Sequence, residues 1–124
     1  NGIGQSTCIG IGGDSVVGSN FLDLIPLYDK DPETKAVVIF CEPGGVIEEK
    51  LAELVLNKHI SLPIIAFIAG RFVDDMPGVR LGHAATIVEV KKGTTKGIIA
   101  MFKKDGVRVA EYFSDIVGIN WEYL

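Results

Sequence analysis

The sequence predicts an α/β fold, in which helices cover both faces of an open and mostly parallel β-sheet. Two apolar runs, residues 36–41 (AVVIFC) and residues 63–69 (PIIAFIA), have the length and β-branched content of buried strands. Amphipathic stretches alternate with these runs, and the connections are short. Strand, helix and strand in this order imply parallel strands joined by right-handed crossovers. The expected sheet is therefore of the flavodoxin type.

The first third of the chain is predicted to form a strand and a helix. Residues 6–11 (STCIGI) are expected to be a strand that ends in a glycine turn. Asn20 is a suitable N-cap, and apolar side chains recur at helical spacing after it, so a helix is expected over residues 20–29. Pro26 predicts a late start or a kink in this helix, because proline has no backbone N–H to donate.

The middle of the chain is predicted to continue the alternation. The strand over residues 36–41 is followed by a helix over residues 46–58, and the strand over residues 63–69 by a long loop, residues 70–82. A short segment over residues 84–90 comes next. A long loop in a compact domain is more often functional than accidental. The loop therefore directs the search for a functional site.

The last third is predicted to hold a helix near residues 95–105, a turn at Gly106 and a strand over residues 107–110. Ser114 and Asp115 are expected to start a last short helix or turn. With 124 residues the chain has room for one domain with a real hydrophobic core. We therefore assign residues 1–124 to a single domain.

Composition and charge exclude several classes of protein. The formal net charge is −4, so neither nucleic acid nor an anionic membrane is expected as a partner, because both select for basic surfaces. No stretch approaches the roughly 18–20 consecutive apolar residues of a membrane span. Cys8 and Cys41 lie in apolar runs and are expected to be buried free thiols. The chain shows no signal peptide and no initiator Met, which predicts a cytosolic or organelle-matrix piece of a longer protein.

Glycine-containing loops are predicted at one edge of the sheet. In open parallel sheets, the loops after the carboxyl ends of the strands converge, and ligands bind there. Glycines let backbone amides approach an anion, and the helix N-termini that follow favour phosphate. The candidate anion-binding glycines are Gly12, Gly13, Gly44, Gly45 and Gly82. Each glycine also fits an ordinary tight turn, so the loops alone do not decide the function.

His83 is the candidate nucleophile of this edge, and Glu42 is its candidate partner. A carboxylate beside an imidazole fixes the tautomer and leaves the other ring nitrogen free to attack. Taken singly, Glu42 also fits a helix-start or solvated carboxylate, and His83 a structural histidine. Their predicted convergence favours the catalytic interpretation. His59, among polar neighbours at a helix end, is expected to be a cap or surface residue.

Two further pairs of charged residues lie in or beside the long loop. Arg71 and Arg80 have the charge to contact a phosphate or a partner, or to anchor the loop through a carboxylate. Asp74 and Asp75 are adjacent loop acids of the kind that is usually solvated. No metal site is therefore assigned to this chain.

Several motifs identify a family when they are taken together. They are residues 4–14 (GQSTCIGIGGD), 18–21 (GSNF), 31–36 (DPETKA), 42–45 (EPGG), 66–70 (AFIAG) and 82–84 (GHA), in this order along the chain. In these motifs the sequence resembles the ligase (phosphohistidine) domain of the succinyl-CoA synthetase α subunit, in the nucleotide-dependent acyl-CoA synthetase family. The first motif and the Gly-His-Ala motif are the specific ones. The loop over residues 70–82 departs from the family in being longer and more acidic.

The resemblance implies that His83 carries a phosphoryl group and that Glu42 orients it. An acyl phosphate gives its phosphoryl group to the histidine, which passes it to a nucleoside diphosphate, and the reverse direction activates an acid for attack by CoA. No cofactor is implied to be held tightly by this chain, whereas CoA, Mg²⁺ and ATP or GTP serve the full enzyme. The implied partners are a nucleotide-binding β subunit or domain and the N-terminal CoA-binding domain of the parent subunit. The first strand and helix of the ligase domain are implied to lie outside this chain, and the compartment to be the cytoplasm, or the mitochondrial matrix in a eukaryote.

Other functions fit part of the same pattern. A non-catalytic interaction or regulatory module would keep the fold, and the altered long loop fits it, whereas retention of both His83 and Glu42 favours the enzyme. A flavodoxin-like domain for a small nucleotide or flavin has only the generic glycine loops in its favour. Citrate- and acetate-activating relatives share the histidine step, so the motifs do not choose the acid.

Overall fold

The computed structural model describes residues 2–12, 16, 18–42, 47–76 and 94–121. Within these ranges the helices are α1 (Phe21–Tyr28), α2 (Ile47–Leu56), α3 (Thr95–Asp105) and α4 (Asp115–Trp121), and the strands are β1 (Val37–Cys41), β2 (Ile64–Ile68) and β3 (Arg108–Val109). A short 3₁₀ helix, Arg71–Asp75, follows β2. The three predicted helices are present as α1, α2 and α3, and the last segment, predicted as a short helix or a turn, is the helix α4.

The three strands form one parallel sheet in the order β1-β2-β3. β1 pairs along its whole length with β2, from Val37 opposite Ile64 to Cys41 opposite Ile68. β3 forms a shorter ladder on the other side of β2. Helix α2 connects β1 to β2, as a crossover between parallel strands requires. The prediction of an α/β fold with an open parallel sheet is confirmed.

The predicted strand over residues 6–11 is wrong, because this segment contains neither strand nor helix. The Ser6 hydroxyl hydrogen-bonds the Thr34 hydroxyl at 2.9 Å, and Thr7 and Ile9 line a shallow pocket against α1. A strand exists only through the ladder that it forms with a neighbour. The segment contacts α1 and the turn before β1 instead, and the sheet of the described residues ends at β1.

The hydrophobic core lies between the sheet and helices α2 and α3. Along β1 every second side chain is buried, and Leu51 of α2 and Phe102 of α3 are fully buried. The core cluster also includes Val37, Ile39, Ile64, Ala66, Ile68, Ile98 and Val107. This alternation places one face of the sheet against helices α2 and α3.

The two cysteines have different environments. Cys41 is buried at the end of β1, as predicted. Cys8 is exposed, which corrects the prediction that both thiols are buried. The physical reason is that the segment carrying Cys8 is not part of the sheet.

The described residues cover the second face of the sheet only in part. Helix α4 packs against β2, where Ile65 is fully buried. Over β1, Phe40 is 55% exposed, and its ring centroid lies 5.5 Å from that of Phe67. Phe113 contacts both rings in an edge-on orientation. Within the described ranges β1 is thus covered on one face, not on both as its apolar sequence predicts.

Helix α1 begins where its cap predicts. The Asn20 side chain accepts a hydrogen bond from the Leu22 amide at 2.8 Å, and the Asp23 carboxylate accepts one from the Asn20 amide at 2.9 Å. These reciprocal bonds form a capping box. The cap fixes the start at Phe21, so Pro26 lies inside the helix without delaying its start.

Asp29 ties the end of α1 to the turn before β2. One of its carboxylate oxygens accepts hydrogen bonds from the Ser61 hydroxyl at 2.7 Å and from the Ser61 and Leu62 amides at 2.9 Å each. These bonds, chiefly that of the Ser61 hydroxyl, lower the pKa of Asp29. The first helix is therefore fixed to the amino edge of the sheet.

Helix α2 ends in a Schellman motif that accounts for His59. Lys58 takes the left-handed conformation with φ of 55°, and the His59 amide donates to the Leu54 carbonyl at 3.0 Å. The His59 side chain is exposed. The prediction of a cap or surface role for His59 is confirmed.

Candidate functional site

The carboxyl edge of the sheet gathers two of the predicted site residues. Glu42 directly follows β1, and Arg71 begins the 3₁₀ helix after β2. The Ala69 amide donates to the Cys41 carbonyl at 2.9 Å, so the two segments leave the sheet side by side. Gly70 then turns the chain with φ of 69°, a conformation that favours glycine. Glu42 is exposed at this edge.

Most of the other predicted site residues lie outside the described ranges. They are His83, Gly13, Gly44, Gly45, Gly82 and Arg80, and the predicted segment over residues 84–90 lies there too. Gly12 is described, and it is exposed at the end of the irregular segment that precedes α1. The roles of all these residues stay predictions.

Arg71 is engaged by the protein itself. Its Nη1 atom forms an ion pair with Glu111, and its Nη2 atom donates to the Ala110 carbonyl at 3.3 Å. Both partners directly follow β3, so the guanidinium ties the exit of β2 to the exit of β3. Of the roles that the sequence offers for Arg71, the structure shows loop anchoring through a carboxylate.

Asp74 is not a solvated loop acid, which corrects the prediction from its sequence context. Its Oδ1 atom accepts a hydrogen bond from the Thr95 amide at 2.8 Å, and its Oδ2 atom accepts one from the Lys96 amide at 3.0 Å. Burial by itself would raise the pKa of Asp74, but the hydrogen bonds from Thr95 and Lys96 together with the charge of Lys96 lower the pKa below its usual value. Asp74 thus caps the N-terminus of α3, whereas the adjacent Asp75 is exposed.

Glu48 is a buried carboxyl that sequence reasoning missed. It lies in the first turn of α2, close to the carboxyl edge, and is only 7% exposed. Its Oε2 atom has no hydrogen-bond partner within the described part of the chain, and burial raises the pKa of Glu48. Burial, followed by the charge of Glu48, raises the pKa of the Cys41 thiol. The available signal was helical spacing, because Glu48 shares one face of α2 with the buried Leu51 and Ala52.

The Glu48→Gln variant should be more stable than the wild type at pH 7. A carboxyl whose pKa is raised by folding contributes stability below its unfolded-state pKa, and this contribution is lost as the pH rises through the raised value. Glutamine has no charge to bury, so we expect a gain of about 1 kcal/mol in the free energy of unfolding at pH 7. The gain should shrink towards pH 4. Urea unfolding at a series of pH values measures both quantities.

The matched control is Glu53→Gln, because Glu53 is exposed on the same helix. This substitution should change the free energy of unfolding by less than about 0.5 kcal/mol at every pH. A gain in Glu48→Gln that is equal at pH 4 and pH 7 would show that titration of Glu48 is not its cause.

Two negative findings concern the described ranges alone. No helix there is long and apolar enough to cross a membrane. No group of three or more His, Cys, Asp or Glu side chains in those ranges could hold a metal ion.

Comparison with known proteins decides the family. The family model described as CoA-ligase matches residues 1–106, which include both Glu42 and His83. The chain belongs to the CoA-ligase family. The resemblance carried by its motifs is thereby confirmed.

Two curated relatives match most of this chain and are themselves longer. The chain is 47% identical over 116 residues to subunit alpha 1 of an ADP-forming succinate–CoA ligase from Archaeoglobus fulgidus. The aligned region covers 94% of this chain and 38% of that relative. It is 46% identical over 110 residues to subunit SqwL of an ADP-forming sulfoacetate-CoA ligase from Acholeplasma. Here the aligned region covers 89% of this chain and 36% of the relative. The chain therefore spans little more than a third of the length of these relatives.

A solved structure confirms the CoA-ligase type of fold. The ATP citrate lyase of Methanosaeta concilii, solved in complex with (3S)-citryl-CoA, matches this chain with a TM-score of 0.77 and 31% sequence identity. The match covers 84% of this chain and 17% of that one. The sheet and helices described above are therefore those of a CoA-ligase domain.

Proposed function

We propose that this chain is the phosphohistidine-bearing part of an acid–CoA ligase of the succinate–CoA ligase type. Such an enzyme converts an acid, CoA and a nucleoside triphosphate into acyl-CoA, a nucleoside diphosphate and phosphate. The observation that carries the proposal is 47% identity, over 94% of this chain, to the alpha subunit of an ADP-forming succinate–CoA ligase. The motif Gly82-His83-Ala84 lies inside the matched region and supplies the phosphoryl carrier, His83.

The proposed reaction proceeds through three transfers. A neutral imidazole nitrogen of His83 attacks the terminal phosphoryl group of the triphosphate, and the diphosphate leaves. The phosphoryl group then passes to a carboxylate oxygen of the acid, which forms an acyl phosphate and regenerates the imidazole. The CoA thiol attacks the acyl carbonyl, its proton is released, and phosphate leaves. His83 thus divides one difficult displacement into easier steps.

Glu42 is proposed to orient His83 by accepting a hydrogen bond from the imidazole N–H. Its exposed position at the carboxyl edge supports this role, as does the fact that its side chain has no hydrogen-bond partner within the described part of the chain. Two other acids near this edge are committed elsewhere, because Glu48 is buried in α2 and Glu111 pairs with Arg71. An oriented imidazole keeps its second nitrogen free as the nucleophile.

The phosphate contacts of this chain are proposed from the loops alone. The proposed anion-binding glycines are Gly12, Gly13, Gly44, Gly45 and Gly82. Arg80 is proposed to contact phosphate or the partner subunit. Arg71 is proposed to act through its tie to Glu111, which supports the edge from which the loop departs.

The remaining substrates are proposed to bind outside this chain. CoA is assigned to an N-terminal domain of the parent subunit, and the nucleotide with its Mg²⁺ to a β subunit or domain. ATP is preferred to GTP, because the two relatives are described as ADP-forming. No tightly held cofactor is assigned to this chain, and the proposed compartment is the cytoplasm, or the mitochondrial matrix in a eukaryote.

Succinate is the first acid to test, and sulfoacetate is the second, since both occur in the names of relatives that are nearly half identical to this chain. Citrate is a further candidate. The observation that favours citrate is the TM-score of 0.77 to an ATP citrate lyase. The sequence identity to this lyase is only 31%, so citrate ranks behind succinate and sulfoacetate as a candidate substrate.

The test is thioester formation by the complete enzyme, which is the full-length parent subunit purified with its nucleotide-binding partner. CoA and Mg-ATP are held constant while succinate, sulfoacetate, citrate and acetate are compared. We expect the kcat/KM for one acid to exceed that for each of the others by at least about tenfold. One ADP and one phosphate should be formed for each thioester. Formation of AMP instead of ADP would contradict the proposal. The absence of thioester with every acid would favour the non-catalytic module.

A further inference from the structure

Two exposed aromatic residues flank the ion pair of Arg71 with Glu111 at the carboxyl edge of the sheet. Phe72 and Tyr112 directly follow the two members of this pair, and their side chains are 63% and 70% exposed. Because the ion pair joins the exits of β2 and β3, it brings these two aromatic residues to one part of the surface. We call the surface formed by these four residues the aromatic patch.

The Phe72 side of the aromatic patch lies on the 3₁₀ helix Arg71–Asp75, which is tied at two points. At the start of this helix, the Arg71 guanidinium is held by the ion pair. Near its end, the Asp74 carboxylate accepts two amides of the first turn of α3, at 2.8 and 3.0 Å. Phe72 lies between these two ties, so a fixed backbone presents its ring to solvent.

The Tyr112 side of the aromatic patch is fixed as well. The Tyr112 amide donates to the Asp115 carboxylate at 2.8 Å, at the start of α4. The adjacent Phe113 ring packs edge-on against Phe67 of β2, with 5.6 Å between the ring centroids. A backbone that is already ordered loses less conformational entropy when a partner binds. Both sides of the patch are therefore prepared for a contact.

The chemistry of the aromatic patch fits a protein surface better than it fits a phosphate. Glu111 neutralises the Arg71 guanidinium, so the cation of the patch is already paired. Apolar side chains exposed singly are common on soluble proteins. Aromatic rings grouped around an arginine are typical instead of the centre of a protein–protein interface, where these residue types are enriched.

The aromatic patch lies beside the edge at which the proposed reaction takes place. In the sheet order β1-β2-β3, Glu42 follows β1, whereas the patch follows β2 and β3. Neighbouring strands are about 4.8 Å apart, so the patch begins about one strand spacing from the exit of β1. The proposed function assigns the nucleotide to a different subunit, and that subunit must reach this edge to exchange a phosphoryl group. A chain that reaches the edge also meets the patch.

We propose that the aromatic patch is a docking surface for the nucleotide-binding β subunit, which covers Phe72 and Tyr112 with apolar side chains of its own. The proposal rests on the proposed function and adds the surface at which the two subunits meet. A second copy of this chain is not the proposed occupant, because it would bring no nucleotide to the edge.

The test measures the Kd of the full-length parent subunit for the β subunit by isothermal titration calorimetry. Phe72→Ala and Tyr112→Ala are compared with Leu56→Ala. Leu56 is the matched control, because it is 55% exposed and ends α2, which returns to the opposite edge of the sheet. All three side chains are exposed, so each variant should keep the wild-type unfolding temperature. Thioester formation is measured in parallel at increasing concentrations of the β subunit.

We expect the Kd to rise at least about tenfold in Phe72→Ala and in Tyr112→Ala, and to change less than about twofold in Leu56→Ala. Since the aromatic patch does not contact the reacting atoms, an excess of β subunit should restore the wild-type kcat to both variants. A wild-type Kd in both variants overturns the proposal. Self-association of the parent subunit that both substitutions weaken, at an unchanged Kd for the β subunit, also overturns it. A wild-type complex that forms no thioester with any acid would instead overturn the proposed function, and the Kd values distinguish the two failures.

Discussion

Replacing His83 by Asn should abolish phosphorylation of the chain and lower thioester formation by at least about 10³-fold. The amide nitrogen of asparagine is not a nucleophile, so the phosphoryl group loses its carrier. Asparagine keeps part of the size and polarity of the imidazole, and the unfolding temperature should therefore stay close to that of the wild type. Single-turnover phosphorylation and steady-state thioester formation measure the two losses.

His59→Asn is the matched control for this experiment. His59 is exposed at the end of α2, and α2 leads from the carboxyl end of β1 back to the start of β2. His59 therefore lies at the opposite edge of the sheet from Glu42. Its variant should keep wild-type rates. Wild-type turnover in His83→Asn would remove His83 from the mechanism, and a loss confined to His59→Asn would move the carrier to His59.

Phe102→Ala should lower the free energy of unfolding by about 3–5 kcal/mol. Phe102 is fully buried on α3 in the core cluster, and truncation leaves a cavity that its neighbours fill only in part. The total stability of a domain is typically about 5–15 kcal/mol, so the variant should approach marginal stability. Urea unfolding measures the change, with the midpoint shifted and the slope unchanged.

Phe72→Ala makes the same chemical change at an exposed position and serves as the control. Phe72 is 63% exposed on the 3₁₀ helix after β2. Its truncation should cost less than about 1 kcal/mol. Equal losses at Phe72 and Phe102 would show that Phe102 is not part of the buried core.

Local signals explain why the helices could be predicted from the sequence. The bounds of α3 follow from Thr94, whose side chain caps the start, and from Gly106, which ends the helix in the left-handed conformation with φ of 94°. The start of α1 follows in the same way from Asn20 and Asp23. Each of these signals lies within a few residues of the boundary that it sets, so the sequence pattern contains it.

Structural features that depend on contacts with distant parts of the chain could not be predicted from such local patterns. Residues 6–11 have the pattern of a strand, but a ladder needs a neighbour, and their contacts lie with α1 and Thr34. Asp74 looks like a solvated acid until α3, which follows the whole long loop, is placed beside it. The helical spacing of Glu48 from Leu51 and Ala52 indicates that Glu48 lies on the buried face of α2. A charged side chain is nevertheless expected at the surface, so the sequence alone does not predict its burial.

Only part of the candidate site could be predicted from the sequence, because some of its contacts join distant parts of the chain. The general rule for open parallel sheets predicts that the loops after β1 and β2 meet at one edge, and Glu42 and Arg71 directly follow these two strands in the structure. The ion pair of Arg71 with Glu111 joins the exits of two strands, and no sequence pattern indicates it. His83 lies outside the described ranges, so its convergence with Glu42 stays a prediction.

The most direct test of the phosphohistidine role is peptide mass spectrometry of the complete enzyme after incubation with Mg-ATP at alkaline pH. The proposed function predicts a single acid-labile phosphoryl group on the peptide that contains His83. Phosphate on another residue would contradict it, and so would the absence of phosphate while the nucleotide-binding partner is present and folded.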